Sequence, residues 1–374
     1  MDGEDGGLDG GADGGLDGGL DSITDVSGVR VGHARVAGAG ALSGTTVVLA
    51  PEGGAVAAVD VRGGGPGTRE TDALDPRNVV QRIDAVVLTG GSAYGLDAAS
   101  GVMAWLEERH RGVRVGPDPS HVVPVVPAAC VFDLGRGGDF SARPDAATGR
   151  AAAEAADASG DHARVETGAV GAGTGAVVGG LRGGVGTAST VLASGITVGA
   201  LVVVNAVGSA VDPATGVPYG SWFGGGRPAF PAEAVHEAAL RRLAEARAAS
   251  APPPLNTTLA VVATDAVLTR AQAQKVAGTA HDGIARAVRP VHLMNDGDTV
   301  FALATGRREL PEEPGPLALN EILAAGADLV TRAIVRALLA APGGLRGPGG
   351  DFPSYGELYA GETDRPADPP PYSR

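Results

Sequence analysis

Lysine is almost missing from this chain. Of its 29 basic residues only Lys275 is a lysine, so lysine-dependent chemistry is confined to one position. Cys130 is the only cysteine; an intramolecular disulfide is excluded, which fits a reducing compartment and a cytoplasmic protein. Aromatic residues make up 3%, so the core has to be built from Ala, Val, Leu and close backbone packing. The longest apolar run, Ile196 to Val207, is broken by Gly199 and Asn205 and is too short to cross a bilayer. The N-terminus has neither a basic segment nor an apolar one, so no signal peptide is expected. No basic patch points to nucleic acid or anionic lipid. The seven histidines show no metal-ligand spacing. No metal or cofactor is expected.

What is present allows a sizeable core: 374 residues, 44% of them hydrophobic, with 61 glycines. Net charge is −14, and residues 1–21 supply seven of those charges on a Gly-Asp stretch with no base. Residues 1–22 therefore read as a disordered tail. Residues 23–341 read as one folded domain. Residues 342–374, rich in Pro, Gly and charge, read as a loosely ordered tail with Tyr355 and Tyr359 as docking points.

Within the domain, Thr45–Ala50, Ala55–Val61, Ala85–Thr89, Val198–Val204 and Leu259–Thr264 read as Val-rich strands. Gly95–Arg109, Pro231–Ala249, Leu268–Val288 and Leu317–Ala340 have helical spacing. Val291–Met294 and Thr299–Leu303, flanking Asn295-Asp296-Gly297-Asp298, read as a hairpin. Strands apolar on both faces predict sheets covered by helices, a layered α/β or α+β domain.

One junction carries the most chemistry. Pro252-Pro253-Pro254 reads as a linker that leads to Asn256-Thr257, and an apolar strand follows at once. Cleaving Asn256–Thr257 would give Thr257 a free α-amine beside its hydroxyl, a nucleophile and base in one residue. An α-amine titrates near ~7.7–8.0, close to working pH. The plain alternative is a loop entering a strand. Asn205 lies in an apolar run and is either a structural partner for a loop or a donor to an oxyanion. Asp296 and Asp298 either shape a turn or fix a nearby α-amine or hydroxyl. Gly90-Gly91-Ser92-Ala93-Tyr94 fails the G-x-S-x-G elbow because Tyr94 holds the last glycine position. The stretch Gly168–Gly186 lacks a phosphate-binding fingerprint and reads as a turn, or as backbone that substrate can approach closely.

Taken in order, Leu88–Asp97, Val126–Gly135, Gly171–Gly175, Asn205, Asn256-Thr257-Thr258 and Asn295–Thr299 resemble the L-aminopeptidase/D-esterase family of self-processing N-terminal nucleophile hydrolases. The resemblance runs from about Ile23 to Thr305. It implies a four-layer αββα sandwich, of the type shared with ornithine acetyltransferase. It also implies self-cleavage at Asn256–Thr257 into two subunits that stay together, and a homotetramer acting on small peptides or amides. By resemblance Thr257 is the nucleophile, Asn205 the oxyanion-side asparagine, and Asp296 and Asp298 the acidic pair of the nylon-oligomer hydrolase branch. Phe132, Gly173 and Gly175 fall at substrate-side positions. Two departures stand out: Ala176-Val177-Val178 offers no counterpart to that branch's lysine, and Phe132 replaces a tyrosine, which argues against nylon oligomers. An acyltransferase of the ornithine acetyltransferase type and an unprocessed, non-catalytic homologue are the competing expectations.

Overall fold

The structure is a computed structural model that describes residues 19–250 and 255–359. In chain order its main elements are β1 (Arg30–Arg35), β2 (Gly44–Leu49), β3 (Val56–Val61), β4 (Thr68–Arg69), β5 (Ala85–Thr89), α1 (Ala98–Glu107), β6 (Ala128–Cys130) and α2 (Ala146–Ser159). These are followed by β7 (Gly184–Val191), β8 (Thr197–Val204), α3 (Glu233–Ala248), β9 (Leu259–Ala266), α4 (Arg270–Ala287), β10 (Thr299–Arg308) and α5 (Leu319–Ala340). One five-stranded sheet has the order β1-β2-β5-β6-β4, the other β7-β8-β9-β10-β3. In each sheet one neighbouring pair is parallel, β5 with β6 and β9 with β10, and the other pairs are antiparallel.

Side-chain alternation along the strands decides the layers, because successive residues of a strand point to opposite faces. In β9, Leu259, Val261 and Ala263 join Val48, Val86, Leu88, Leu201, Val203, Phe301 and Leu303 in a core between the two sheets. The alternate residues Ala260 and Val262 face the other way and meet Val276, Ile284, Val330 and Ile334 of α4 and α5. On the far side, Val47, Leu49 and Val87 pack under Val102, Trp105, Ala152 and Ala156 of α1 and α2. The result is the expected four-layer αββα sandwich: both sheets are apolar on both faces because each is covered twice.

The main differences from the sequence reading have physical causes. The glycine-rich stretch forms a 3-10 turn at Gly171–Gly173, but it also holds a short antiparallel pair, Val177–Val178 with Leu181–Arg182, and the start of β7. A Cβ on Gly186 would lie 2.7 Å from Ala337 N, so glycine there lets α5 sit on the sheet. The hairpin at 291–303 does not form. β10 pairs in parallel with β9 and antiparallel with β3, and the segment before it is a loop tied to the Asp296 and Asp298 carboxylates. The segment 342–359, expected to be loose, packs against the domain. Phe352, Tyr355 and Tyr359 are buried, and the Tyr359 hydroxyl lies 3.0 Å from His236 Nδ1. Of the expected N-terminal tail, residues 1–18 lie outside the described residues. Ser22 is buried, and the Asp21 carboxylate pairs with Arg332 and Arg336 on α5. The Pro252–Pro254 linker also lies outside the described residues.

Candidate active site

Strand register brings the expected residues together. Val203 of β8 faces Leu259 of β9 in an antiparallel pair, so Asn205, just past the end of β8, comes to lie beside Thr257. Leu259 faces Thr299 of β10 in a parallel pair, so Gly297 comes to Thr257 from the other side. A β-bridge between Asn256 and Asp296 continues that pairing. The site therefore sits at one end of the second sheet, on rigid strand ends.

Two donors converge on the carbonyl oxygen of Asn256. The Thr257 hydroxyl donates to it at 2.5 Å and the Gly297 N–H at 3.0 Å. The Thr257 N–H donates to the Asn205 carbonyl at 2.6 Å, and the Asn256 N–H to the Asn295 carbonyl at 3.0 Å. Both Asn256 and Thr257 are buried. A donor is thus aimed at the oxygen where negative charge would develop if the hydroxyl attacked this carbonyl. Sequence reasoning assigned that task to the Asn205 side chain. In the uncut chain its amide nitrogen instead donates to the Phe132 carbonyl at 3.2 Å, and its Oδ1 accepts from Val177 N–H at 3.0 Å and from Arg136.

The acidic pair shapes the backbone rather than touching the hydroxyl. Asp298 accepts from Thr258 N–H at 2.7 Å and from His292, whose N–H and Nδ1 lie 3.1 and 2.8 Å from Oδ2. Asp296 accepts from Val207 N–H and Leu293 N–H, each at 3.3 Å. Burial, with the charge of Asp298 second, holds the Asp296 carboxyl above the usual carboxylate range. Together the two carboxylates anchor Thr258 and the loop that carries Gly297.

Arg136 is the residue that sequence reasoning missed. Its guanidinium is buried and donates to the Gly175 carbonyl at 2.6 Å, to Asn205 Oδ1 and to Asn256 Oδ1 at 2.9 Å. A cation thus reaches the glycine-rich stretch that lacks a lysine, from a different part of the chain. Burial pushes Arg136 down to about 10, against the opposing charge of Asp133. Burial pushes Asp133 up to about 6, even though it accepts from Gly91 N–H at 2.7 Å. That bond explains the Gly90-Gly91 turn. Gly91 sits at φ 78°, in the left-handed region, and Ser92 N–H is taken by the Val131 carbonyl at 3.0 Å, so the turn supports the Asp133 loop. The available signal was two opposite charges, Asp133 and Arg136, in an otherwise apolar, glycine-rich stretch.

The substrate-side positions divide. Phe132 is half-buried and reaches the site through its carbonyl, and Gly175 through its own carbonyl on Arg136. Gly173 is buried against β7, where a Cβ would stand 2.7 Å from Val185 N, so it is a packing position.

The chain also resembles known proteins in sequence and in fold. A solved Burkholderia sp. beta-aminopeptidase superposes with a TM-score of 0.67 at 26% identity, covering 92% of this chain and 94% of that one. The L-aminopeptidase D-Ala-esterase/amidase of Ochrobactrum anthropi, described as a variant of the Ntn hydrolase fold, shares the fold with a TM-score of 0.68 at 23% identity, over 91% of this chain and 92% of that one. An uncharacterized aminopeptidase of Mycobacterium tuberculosis is 49% identical over 91% of this chain and 98% of its own length. The 6-aminohexanoate-oligomer endohydrolase of Kocuria sp. is 32% identical over 78% of this chain and 77% of its own. The model of peptidase family S58 matches residues 21–348, and the chain belongs to that family.

Proposed function

We propose that this protein is a self-cleaving amide hydrolase of the aminopeptidase kind, with Thr257 as its N-terminal nucleophile. One observation carries the reading: the Thr257 hydroxyl and the Gly297 N–H meet on the Asn256 carbonyl, at 2.5 and 3.0 Å. In the precursor, Thr257 Oγ bonds to the Asn256 carbonyl carbon and the Asn256–Thr257 C–N bond breaks. The hydroxyl proton ends on the departing nitrogen. Water then splits the resulting ester, giving an Asn256 carboxyl group and a Thr257 with free hydroxyl and α-amine. In the mature enzyme that amine, held by the Asn205 carbonyl, takes the hydroxyl proton as Oγ attacks a substrate amide. It passes the proton to the leaving amine, and water releases the acyl group.

The names of the mycobacterial aminopeptidases support the aminopeptidase reading. The sheet order supports a stable association of the two fragments. β9 and β10, from after the cut, lie between β8 and β3, from before it; separating them would break two rows of strand pairing. A cytoplasmic location belongs to the same reading. Cys130 is free and buried, and burial pushes its thiol up to about 12, which leaves it inert.

Mass spectrometry of the cut protein, quenched during turnover of an aminoacyl ester, tests the mechanism. The acyl mass should appear on the fragment that starts at Thr257. An acyl mass elsewhere, or turnover that requires an added acceptor amine, would contradict it.

A further inference from the structure

The uncut chain holds its own first substrate. Asn256 is the acyl residue of the bond that Thr257 is proposed to cut, and three of its polar groups are already bound. Its carbonyl takes the Gly297 N–H at 3.0 Å, its α-nitrogen donates to the Asn295 carbonyl at 3.0 Å, and its Oδ1 takes the Arg136 guanidinium at 2.9 Å. When cleavage frees Asn256 and its residue leaves, two of those partners suit any aminopeptidase substrate: a free ammonium would meet Asn295 O, and a scissile carbonyl would meet Gly297 N–H. The third partner is selective. Arg136 would be left buried with a donor aimed at an empty position.

Arg136 also has no carboxylate in contact with it among the described residues. Its other acceptors are neutral, the Gly175 carbonyl and Asn205 Oδ1, and among the described residues it forms no ion pair. Asp133 acts on it only from beyond ion-pair distance. A buried guanidinium without a carboxylate partner favours one that arrives with the ligand.

We propose, building on the Thr257 reading, that Arg136 selects substrates whose acyl residue carries a carboxylate where Asn256 Oδ1 now sits: amides of an N-terminal aspartyl residue first, asparaginyl second. An alanyl or leucyl residue leaves the guanidinium unanswered, and a site built around a buried polar group rejects a ligand that does not pair with it.

The test is a comparison of kcat/KM for L-aspartyl-, L-asparaginyl-, L-alanyl- and L-leucyl-p-nitroanilide on the fully cut wild-type protein. Aspartyl should exceed alanyl and leucyl by about tenfold or more. Arg136→Met should bring that ratio near one, and Arg136→Lys should retain part of it. If Arg136→Met stays uncut or fails to fold, the wild-type ratio decides alone. Alanyl hydrolysis equal to or faster than aspartyl on cut protein would overturn the selection and leave the Thr257 reading standing. Cut protein inert to all four amides would also overturn it. A chain that stays uncut would remove the reading beneath it and the selection with it.

Discussion

Adding one carbon to Gly297 should stall self-cleavage without unfolding the chain. A Cβ built there stands 2.7 Å from Thr257 Oγ and 2.9 Å from the Gly65 carbonyl, closer than side-chain carbons are found to pack. In Gly297→Ala, either the hydroxyl leaves the Asn256 carbonyl or the Gly297 N–H does. Losing one oxyanion donor costs about 10²–10³ in rate, on the order of 3 kcal/mol. The overpacking itself costs ~1–3 kcal/mol of stability, which a domain of this size can absorb. The rate would be followed on a denaturing gel as freshly translated protein converts from one band to two. A thermal melt of the Gly297→Ala protein itself, beside the uncleavable Thr257→Ala protein, separates slowed chemistry from misfolding. Wild-type conversion by a well-folded Gly297→Ala protein would refute the assignment of this N–H to the cleavage step.

Other perturbations give sharply different outcomes. The Thr258 hydroxyl is buried and makes no hydrogen bond among the described residues, so Thr258→Val should keep cleavage and lose no stability. Loss of cleavage would move the nucleophile by one residue. Tyr359→Ala removes a ring that is 1% exposed and stacked on Tyr355 with centroids 4.7 Å apart; a loss of about 3 kcal/mol, seen in denaturant titration, would match a packed C-terminal segment. Burial holds the His281 imidazole down to about 4 from 6.5. The unfolded chain therefore binds the extra proton first, and stability should fall as pH drops from about 6.5 to about 4. His281→Asn should flatten that fall in melts run at pH 7 and 4.5. Gel filtration of cut protein should give one peak containing both fragments, because β9 and β10 remain inserted in the sheet.

How much of this could be read beforehand depended on how local the signal was. Ala85–Thr89 and the strand start at Leu259 were visible because buried, Val-rich strands announce themselves over five to eight residues. Others were not, among them the short strands β4 and β6. β1 is Arg30–Arg35, a charged edge strand, and α2 is an alanine-rich helix whose cap at Asp145 lies in a loop-like stretch. β7 was hidden by its glycines, of which Gly186 admits α5 and Gly184 lies against Gly168. The Asn-Asp-Gly-Asp segment looked like a hairpin because turn chemistry is local, whereas what forms there is set by the parallel pairing of β9 and β10. The Thr257, Asn205 and acidic-pair positions were legible from their order along the chain. Arg136 was not, because its partners Asn205 and Asn256 lie 69 and 120 residues away. Main-chain donors such as Gly297 N–H have no sequence signature at all.

The most direct test is N-terminal sequencing of the purified protein after a denaturing gel. Two bands are expected, the smaller beginning Thr-Thr-Leu-Ala and comprising the 118 residues from Thr257 to Arg374, and a Thr257→Ala protein should remain a single chain. An active wild-type protein that runs as one full-length band, or a small fragment that begins at any other residue, would contradict this expectation.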